Sequence, residues 1–252
     1  MREASSHGTA RWPCLTALVC CGLGAQDPGR EFFREAAGRA TQLKAARDHY
    51  TYRQSVVFQE LDPRGTEVGR YSEVREVIFL PAKGREEVVV GRPLLTLKNL
   101  KLTEEDFRDI REVKPFVLSL EELPWYRVDY RGREKMDEWD CFVYRVAPRQ
   151  VFEGQRLFEG LIWVSENDRQ IVRAEGRPVP QIHRLKGENL FPHLTTIYRP
   201  LDGRYWFPVR TLADDTLHFR SGPQRLRLTV RYDDYKRFGA ESAIQYQGAV
   251  VP

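Results

Sequence analysis

Short segments of alternating apolar and polar residues follow one another from Tyr50 to Tyr232, and this succession constrains the fold more than any other feature. A period of two places alternate side chains on opposite faces of a β-strand. Short turn sequences join the segments, as at 131–132, 166–169 and 202–203. Consecutive strands with short turns form an antiparallel sheet, and about ten of them must curl to bury one face. The predicted strands are 50–59, 67–80, 86–91, 125–130, 138–146, 156–164, 170–175, 194–199, 205–212 and 224–232.

An amphipathic helix is predicted before the first strand. Asp27 and Pro28 suit a helix start, because Asp can cap the N terminus and Pro is tolerated in the first turn. Apolar residues then recur at steps of mostly three and four, which gives one apolar stripe. The stripe consists of Phe33, Ala36, Ala37, Ala40, Leu43 and Ala46. The predicted fold class is mainly β (α+β): a curved antiparallel sheet forming an incomplete, half-open barrel with an N-terminal helix and a helical lid insertion.

The lid is predicted from a leucine-rich stretch between residues 93 and 120, which interrupts the strand pattern. Residues 103–106 can begin a capped helix, with Leu102 and Phe107 forming a hydrophobic staple across its start. Such a helical insertion in a β-rich chain must cover an apolar surface of the sheet. The predicted lid residues are Leu95, Leu97, Leu100, Phe107 and Ile110.

The N terminus contains an apolar run from Cys14 to about Ala25. It is shorter than the roughly 20 residues that a membrane-spanning helix needs. Arg2 and Arg11 precede it and small residues follow it, an order typical of a secretory signal peptide. We therefore predict a signal peptide at 1–25 and a single domain at 26–252 that works in the periplasm. Lipidation of Cys21, which would anchor the protein, is an alternative.

The distribution of charged residues argues against a nucleic-acid partner, and the number of cysteines argues against an internal disulfide. The 40 basic and 36 acidic residues are interleaved and leave a formal net charge of +4. A nucleic-acid interface needs a clustered basic face, so we predict no nucleic-acid partner. Cleavage near Ala25 would leave Cys141 as the single cysteine, which excludes an internal disulfide. We interpret Cys141 as a small buried apolar residue and expect a monomer.

The sequence contains no recognisable catalytic or metal-binding signature. None of the five histidines has a second His or Cys at metal-ligand spacing. The acidic pairs at 214–215 and 233–234 lie in strand-like segments, where neighbouring side chains point to opposite faces. No Gly-x-Ser-x-Gly motif or Gly-rich phosphate loop is present. We predict no catalytic residues, no metal and no cofactor, and therefore a protein that is not an enzyme.

Three segments give the chain a resemblance to a known family. They are Tyr-Thr-Tyr-Arg-Gln at 50–54, the long hairpin at 160–175, and Tyr-Trp-Phe-Pro-Val-Arg at 205–210. They resemble the periplasmic lipoprotein carriers and outer-membrane receptors of the LolA and LolB type, and more closely the exported outer membrane lipoprotein-sorting relatives. The resemblance covers most of the chain after residue 25. It implies a concave face, capped by helices, that accepts acyl chains.

From that resemblance we expect the chain to bind a lipid, a lipidated protein or another apolar ligand in the concave face. An envelope accessory protein that binds a protein partner without lipid cargo is one alternative. A lipid- or glycan-acting enzyme with Arg53, Glu76, Arg145 or Glu159 at the cavity mouth is another. The candidate cavity residues are Tyr52, Val56, Phe58, Leu161, Trp163, Phe207, Leu226, Leu228 and Val230.

Overall fold

The computed structural model describes residues 27–80, 84–101, 118–151, 157–179, 192–201 and 203–237. Within these ranges it contains one α-helix, α1 (Gly29–Arg47), and a 3₁₀ turn at Leu123–Trp125. The strands are β1 (Tyr50–Leu61), β2 (Glu67–Leu80), β3 (Gly84–Val89), β4 (Leu94–Leu95), β5 (Tyr126–Met136), β6 (Trp139–Pro148), β7 (Leu157–Ser165), β8 (Ile171–Val179), β9 (Leu194–Leu201), β10 (Tyr205–Phe219) and β11 (Gly222–Arg237).

The eleven strands of the described ranges form a single antiparallel sheet that is not closed into a barrel. Its order is β3-β2-β1-β11-β10-β9-β8-β7-β6-β5, and β4 also pairs with β2. The last strand, β11, therefore lies beside the first, β1, whereas the other neighbouring strands in this order are consecutive in sequence. The predicted mainly-β class with an open, curved antiparallel sheet is confirmed. Strands β10 and β11 extend beyond their predicted ends.

The strand register defines two faces of the sheet, because directly opposed residues of antiparallel strands share a face. We term the face that contains Val56 the inner face and the other the outer face. The inner face contains a row of opposed residues from β6 to β2: Tyr144, Ile162, Ala174, Thr196, Thr211, Val230, Val56 and Glu73. The adjacent row on the outer face contains Trp163, Arg173, Ile197, Arg210, Arg231 and Ser55.

Helix α1 lies on the inner face. Near its start Phe33 packs against Tyr144 of β6, with ring centroids 4.8 Å apart. Near its end Leu43 packs in one cluster with Tyr50 of β1. The helix therefore crosses the inner face from β6 towards β1. The predicted apolar stripe is confirmed, since the buried residues of α1 are Phe32, Phe33, Ala36, Ala37, Ala40, Leu43 and Ala46.

Helix α1 begins where the sequence predicted it. The Asp27 carboxylate accepts a hydrogen bond from the Gly29 backbone N–H at 2.9 Å. None of the helical segments in the described ranges is both long and apolar enough to span a membrane. The predicted signal peptide at 1–25 lies outside the described residues.

Candidate functional site

An apolar cluster on the inner face contains no buried residue of α1. In the described ranges, five buried side chains of α1 belong to two other clusters: Phe32, Phe33 and Ala36 to one, and Leu43 and Ala46 to the other. The cluster spans four neighbouring strands, β2, β1, β11 and β10. We term it the apolar floor, and its buried members are Val56, Phe58, Tyr71, Ala213, Leu217, Leu226, Leu228, Val230 and Tyr232.

Most of the predicted cavity residues lie together on this floor. The alternation of β1 and β11 places their apolar side chains on one face, and opposed pairs such as Phe58 with Leu228 bring the two strands into register. Tyr52 is partly buried and packs against the margin of the floor. The predicted residues within the floor itself are Val56, Phe58, Leu226, Leu228 and Val230.

Phe207 lies beneath α1 instead of on the apolar floor. It forms a buried cluster with Leu43, Ala46 and Tyr50, and its ring centroid is 4.7 Å from that of Tyr50. Its side chain is 1% exposed. Because the last turns of the helix already cover Phe207, the contact is part of the packing of α1 on the sheet.

Leu161 and Trp163 lie on the outer face, so the structure does not bring them together with the other predicted cavity residues. The inner-face residue between them is Ile162. The Trp163 indole N–H donates to the Glu134 carboxylate at 2.8 Å, and the Arg173 guanidinium lies 5.0 Å from the ring centroid. Strand β7 is apolar on both faces, and alternation therefore cannot identify its inner side.

Residues 94–101, here termed the strap, border the apolar floor. They begin with β4 (Leu94–Leu95), which pairs with β2 on the same side as β3. Farther along, Leu97 and Leu100 pack against the floor. The strap therefore contributes to the cover of the floor.

The strap is the described part of the predicted lid, and it is extended rather than helical. Leu97 and Leu100 lie against the floor, whereas Leu95 is 58% exposed and does not cover it. Pairing with β2 supplies backbone hydrogen bonds that a helix would otherwise provide, and this explains the extended form. Phe107, Ile110 and the predicted helix start at 103–106 lie outside the described residues.

A buried carboxylate fastens the strap. Glu60 of β1 is completely buried and continues the inner-face alternation of Val56 and Phe58. Its Oε2 accepts the Lys98 backbone N–H at 2.7 Å, and its Oε1 accepts the Asn99 backbone N–H at 2.8 Å. This role of Glu60 was not predicted from the sequence, although an acidic residue at a predicted inner position is a recognisable signal.

A glycine provides the space in which the Glu60 carboxylate binds the strap. Gly69 of β2 lies opposite Glu60. A Cβ atom at this position would lie 2.7 Å from Glu60 Oε2 and 2.9 Å from both Leu97 Cα and the Thr96 carbonyl oxygen. A side chain would therefore displace either the carboxylate or the strap.

Charged residues border the apolar floor on β2. Glu73 and Arg75 are buried and form an ion pair, and Arg75 also contacts the carboxylate of Glu87. Tyr71 donates its hydroxyl to Glu73. Burial alone would lower the pKa of Arg75, but hydrogen bonds to the two carboxylates outweigh burial and raise it. The Arg75 guanidinium is thus paired with two carboxylates beside the floor.

The buried members of the apolar floor are each at most 7% exposed. An open groove of about 460 Å³ lies between α1 and the β7–β8 turn. Its lining includes Glu35, Arg39, Asp168 and Arg169 and is predominantly polar. A second groove overlaps it near the start of α1. A ligand of the floor would therefore have to displace side chains that now cover it.

The polar residues considered for catalysis do not converge. Arg53 pairs with Glu76 at 3.0 Å on β1 and β2, and Arg145 pairs with Glu159 at 3.1 Å on β6 and β7. Four strands separate the two ion pairs in the sheet. The described residues contain no group of three or more His, Cys, Asp or Glu side chains that could hold a metal ion.

Asp214 and Asp215 point in different directions, as adjacent strand residues do. Asp214 binds Arg227 at 2.8 Å and Arg225 at 3.2 Å. The hydrogen bond from Arg227, with that from Arg225, keeps the pKa of Asp214 below its usual value despite partial desolvation. Asp215 instead accepts the His193 backbone N–H at 3.0 Å. The two carboxylates therefore have separate partners.

Cys141 is buried in β6 as a free thiol. Burial, together with the charge of Glu166, raises the pKa of the thiol to about 12. At neutral pH the thiol stays protonated, and a thiol is a far weaker nucleophile than a thiolate. This environment fits the interpretation of Cys141 as a core residue.

Comparison with known proteins yields no sequence family and no curated protein that matches the chain. Solved structures do match it. A DUF1329 family protein from Desulfovibrio piger is 13% identical, with a TM-score of 0.40 over 86% of this chain and 96% of that one.

Two further matches have similar coverage. An outer membrane lipoprotein-sorting protein domain from Vibrio parahaemolyticus is 13% identical, with a TM-score of 0.37 over 81% of this chain and 92% of that one. A LolA superfamily protein from Nitrosomonas europaea is 16% identical, with a TM-score of 0.34 over 80% of this chain and 94% of that one.

Proposed function

We propose that this protein is a non-catalytic envelope protein that buries the acyl chain of a lipid or lipidated protein between the apolar floor and the strap. The observation that supports this proposal is the apolar floor itself, a cluster on four neighbouring strands that contains no buried residue of α1. Two strap leucines, Leu97 and Leu100, occupy part of the space that an acyl chain would take. The family resemblance supplies the ligand class, and the floor supplies a surface suited to it.

Ligand entry requires the strap to move. The side chains of Leu97 and Leu100 would leave the floor, and an acyl chain would replace their contacts. Burial of apolar surface is favourable by about 25 cal/mol per Å², so an acyl chain can compensate for the lost leucine contacts. The hydrogen bonds to Glu60 hold the closed form, and their geometry sets how readily the strap opens.

The site of action belongs to the same proposal. The charged, apolar and small residues of 1–25 favour export, and the family resemblance favours the periplasm. Anchoring through Cys21 would place the same binding domain at a membrane surface. Both forms present the apolar floor to the same class of ligand, a lipid or lipidated protein.

Filling the floor tests the proposal. Ala213 is its smallest residue, 4% exposed, and lies opposite Leu228. In Ala213→Phe the added ring occupies the space above the floor, so the affinity for a fluorescent C16 fatty acid should fall about tenfold or more. The measurement is a fluorescence titration of the purified domain with this probe.

Ala174→Phe is the matched control. Ala174 is 2% exposed on the same face but belongs to the cluster under α1. Both substitutions overpack a core, so circular dichroism must show that both variants stay folded, with Ala213→Leu as the milder substitute. Equal affinity of Ala213→Phe and the unmodified protein would contradict the proposal, as would an equal loss in both Phe variants.

A further inference from the structure

Two arginines lie directly opposite each other on the outer face of the sheet. Arg210 of β10 is paired in register with Arg231 of β11, and both residues are exposed. Directly opposed side chains of antiparallel strands have Cβ atoms about 4.5–5.5 Å apart, and like charges at such positions destabilise a sheet. The pairing therefore lowers the stability of the fold unless a negative group lies between the two guanidinium groups.

Other arginines at outer-face positions are paired with carboxylates, whereas these two are not. In the described ranges neither Arg210 nor Arg231 forms an ion pair, although Asp233 lies on the same face two residues from Arg231. The paired arginines are Arg53 with Glu76, Arg145 with Glu159, Arg173 with Glu175, Arg199 with Asp137, and both Arg225 and Arg227 with Asp214. Two positive charges at the centre of this face thus have no compensating charge within the described ranges.

Hydroxyl groups border the two arginines. Ser55 of β1 lies opposite Arg231 on the side away from Arg210, and it is partly buried. Thr229 lies two residues from Arg231 on the same face and is also partly buried. Neighbouring strands are about 4.8 Å apart, so Arg210, Arg231 and Ser55 form a continuous row of hydrogen-bond donors across three strands. Such a row suits an anion with several acceptor oxygens.

We propose that Arg210 and Arg231 form a binding site for the phosphate group of a phosphate monoester. A carboxylate has two oxygens, which a single guanidinium can bind in a bidentate manner. A phosphate monoester has three terminal oxygens and a charge of about −1.5 to −2 at neutral pH. Two guanidinium groups can therefore bind and neutralise it together, and the Ser55 hydroxyl can donate to its remaining acceptor sites.

The phosphate site and the apolar floor lie on opposite faces of the sheet. Arg210 and Arg231 are outer-face residues, whereas the neighbouring floor residue Val230 points to the inner face. Phosphate binding at the arginine pair therefore does not depend on acyl-chain binding by the floor. A phosphate monoester can belong to a soluble metabolite or to a lipid headgroup at a membrane surface, and the two sources require separate probes.

Glycerol 3-phosphate and vesicles that contain phosphatidic acid are the two probes. At low ionic strength, glycerol 3-phosphate should shift the Nε–Hε NMR signals of Arg210 and Arg231. Its affinity should fall about tenfold or more in Arg231→Gln, and Arg231→Lys should restore part of the loss, because lysine keeps the charge but lacks the planar fork. Cosedimentation with the vesicles that requires Arg231 would assign the phosphate to a lipid headgroup. Binding of glycerol 3-phosphate alone would assign it to a soluble ester.

Arg227→Gln is the matched control, because Arg227 lies on the same strand and face but is bound to Asp214. This variant should bind glycerol 3-phosphate like the unmodified protein. Without ligand, Arg231→Gln should unfold at a temperature no lower than the unmodified protein, since it removes a like-charge pair. Circular dichroism during heating measures this and separates lost binding from lost folding.

Three results would overturn the proposal. The first is no binding of either probe. The second is an equal loss of affinity in Arg227→Gln and Arg231→Gln, which would show that general surface charge attracts the anion. The third is tighter binding of a glutamate-rich peptide than of glycerol 3-phosphate, which would favour an acidic protein partner.

Discussion

Replacing Glu60 by Gln is expected to release the strap. A carboxylate offers two acceptor oxygens to the Lys98 and Asn99 N–H groups, whereas an amide offers one and turns a donor towards the other. The buried unsatisfied donors should lower the free energy of unfolding by about 1–3 kcal/mol. Hydrogen exchange at Lys98 and Asn99 should accelerate, and so should the association of a fluorescent fatty acid with the apolar floor.

Gly69→Ala should also release the strap, without a change at Glu60. Its Cβ would lie 2.9 Å from Leu97 Cα, so the strap must shift although the Glu60 charge is unchanged. Glu67→Gln is the control for the Glu60 substitution, because Glu67 is partly exposed and pairs with Arg70. Its effect on stability should stay below about 1 kcal/mol. Slow exchange at 98–99 in both Glu60→Gln and Gly69→Ala would show that Glu60 does not hold the strap.

Gly160→Ala is expected to cause the largest loss of stability. Gly160 of β7 lies opposite Gly176 of β8, and the Phe158 ring lies over both glycines. A Cβ on Gly160 would lie 2.7 Å from Gly176 Cα and 2.8 Å from Phe158 Cζ. Because backbone atoms of the paired strand cannot move aside, the free energy of unfolding should fall by about 4 kcal/mol or more. Urea denaturation followed by circular dichroism measures this loss.

Gly38→Ala is the control for the glycine substitution. Gly38 lies within α1, and among the residues that the structure describes a Cβ there would approach only Leu120 Cδ1, at 3.9 Å. Alanine favours a helix over glycine by about 1 kcal/mol, so this variant should be more stable than the unmodified protein. If Gly160→Ala unfolded at the same urea concentration as the unmodified protein, the close strand contact at Gly160 would be disproved.

The alternation of apolar and polar residues predicted which side chains share a face in strands that have one apolar and one polar face. In β11, Leu226 and Leu228 alternate with Arg225 and Arg227, and the prediction of their shared face is confirmed. The same argument cannot assign a strand with two apolar faces. Trp163 and Ile162 are both buried although they point in opposite directions, so sequence periodicity gave no basis for choosing between them.

The extended conformation of the strap was the second feature that could not be predicted from the sequence. The leucine-rich stretch between residues 93 and 120 was predicted as a helical lid with a helix start at 103–106, but pairing with β2 and the bonds to Glu60 hold residues 94–101 in an extended form. Both contacts join residues far apart in sequence, and local propensity does not contain them. An acid at position 60, on the apolar side of β1, was the available signal that a buried partner exists.

Native mass spectrometry of the protein purified from a bacterial periplasm, followed by organic extraction, tests the central claim most directly. We expect a bound lipid or acylated species in the native spectrum, recovered in the extract and reduced in Ala213→Phe but not in Ala174→Phe. A spectrum with only the mass of the unbound protein, unchanged after incubation with phospholipids and fatty acids, would contradict acyl-chain binding by the apolar floor.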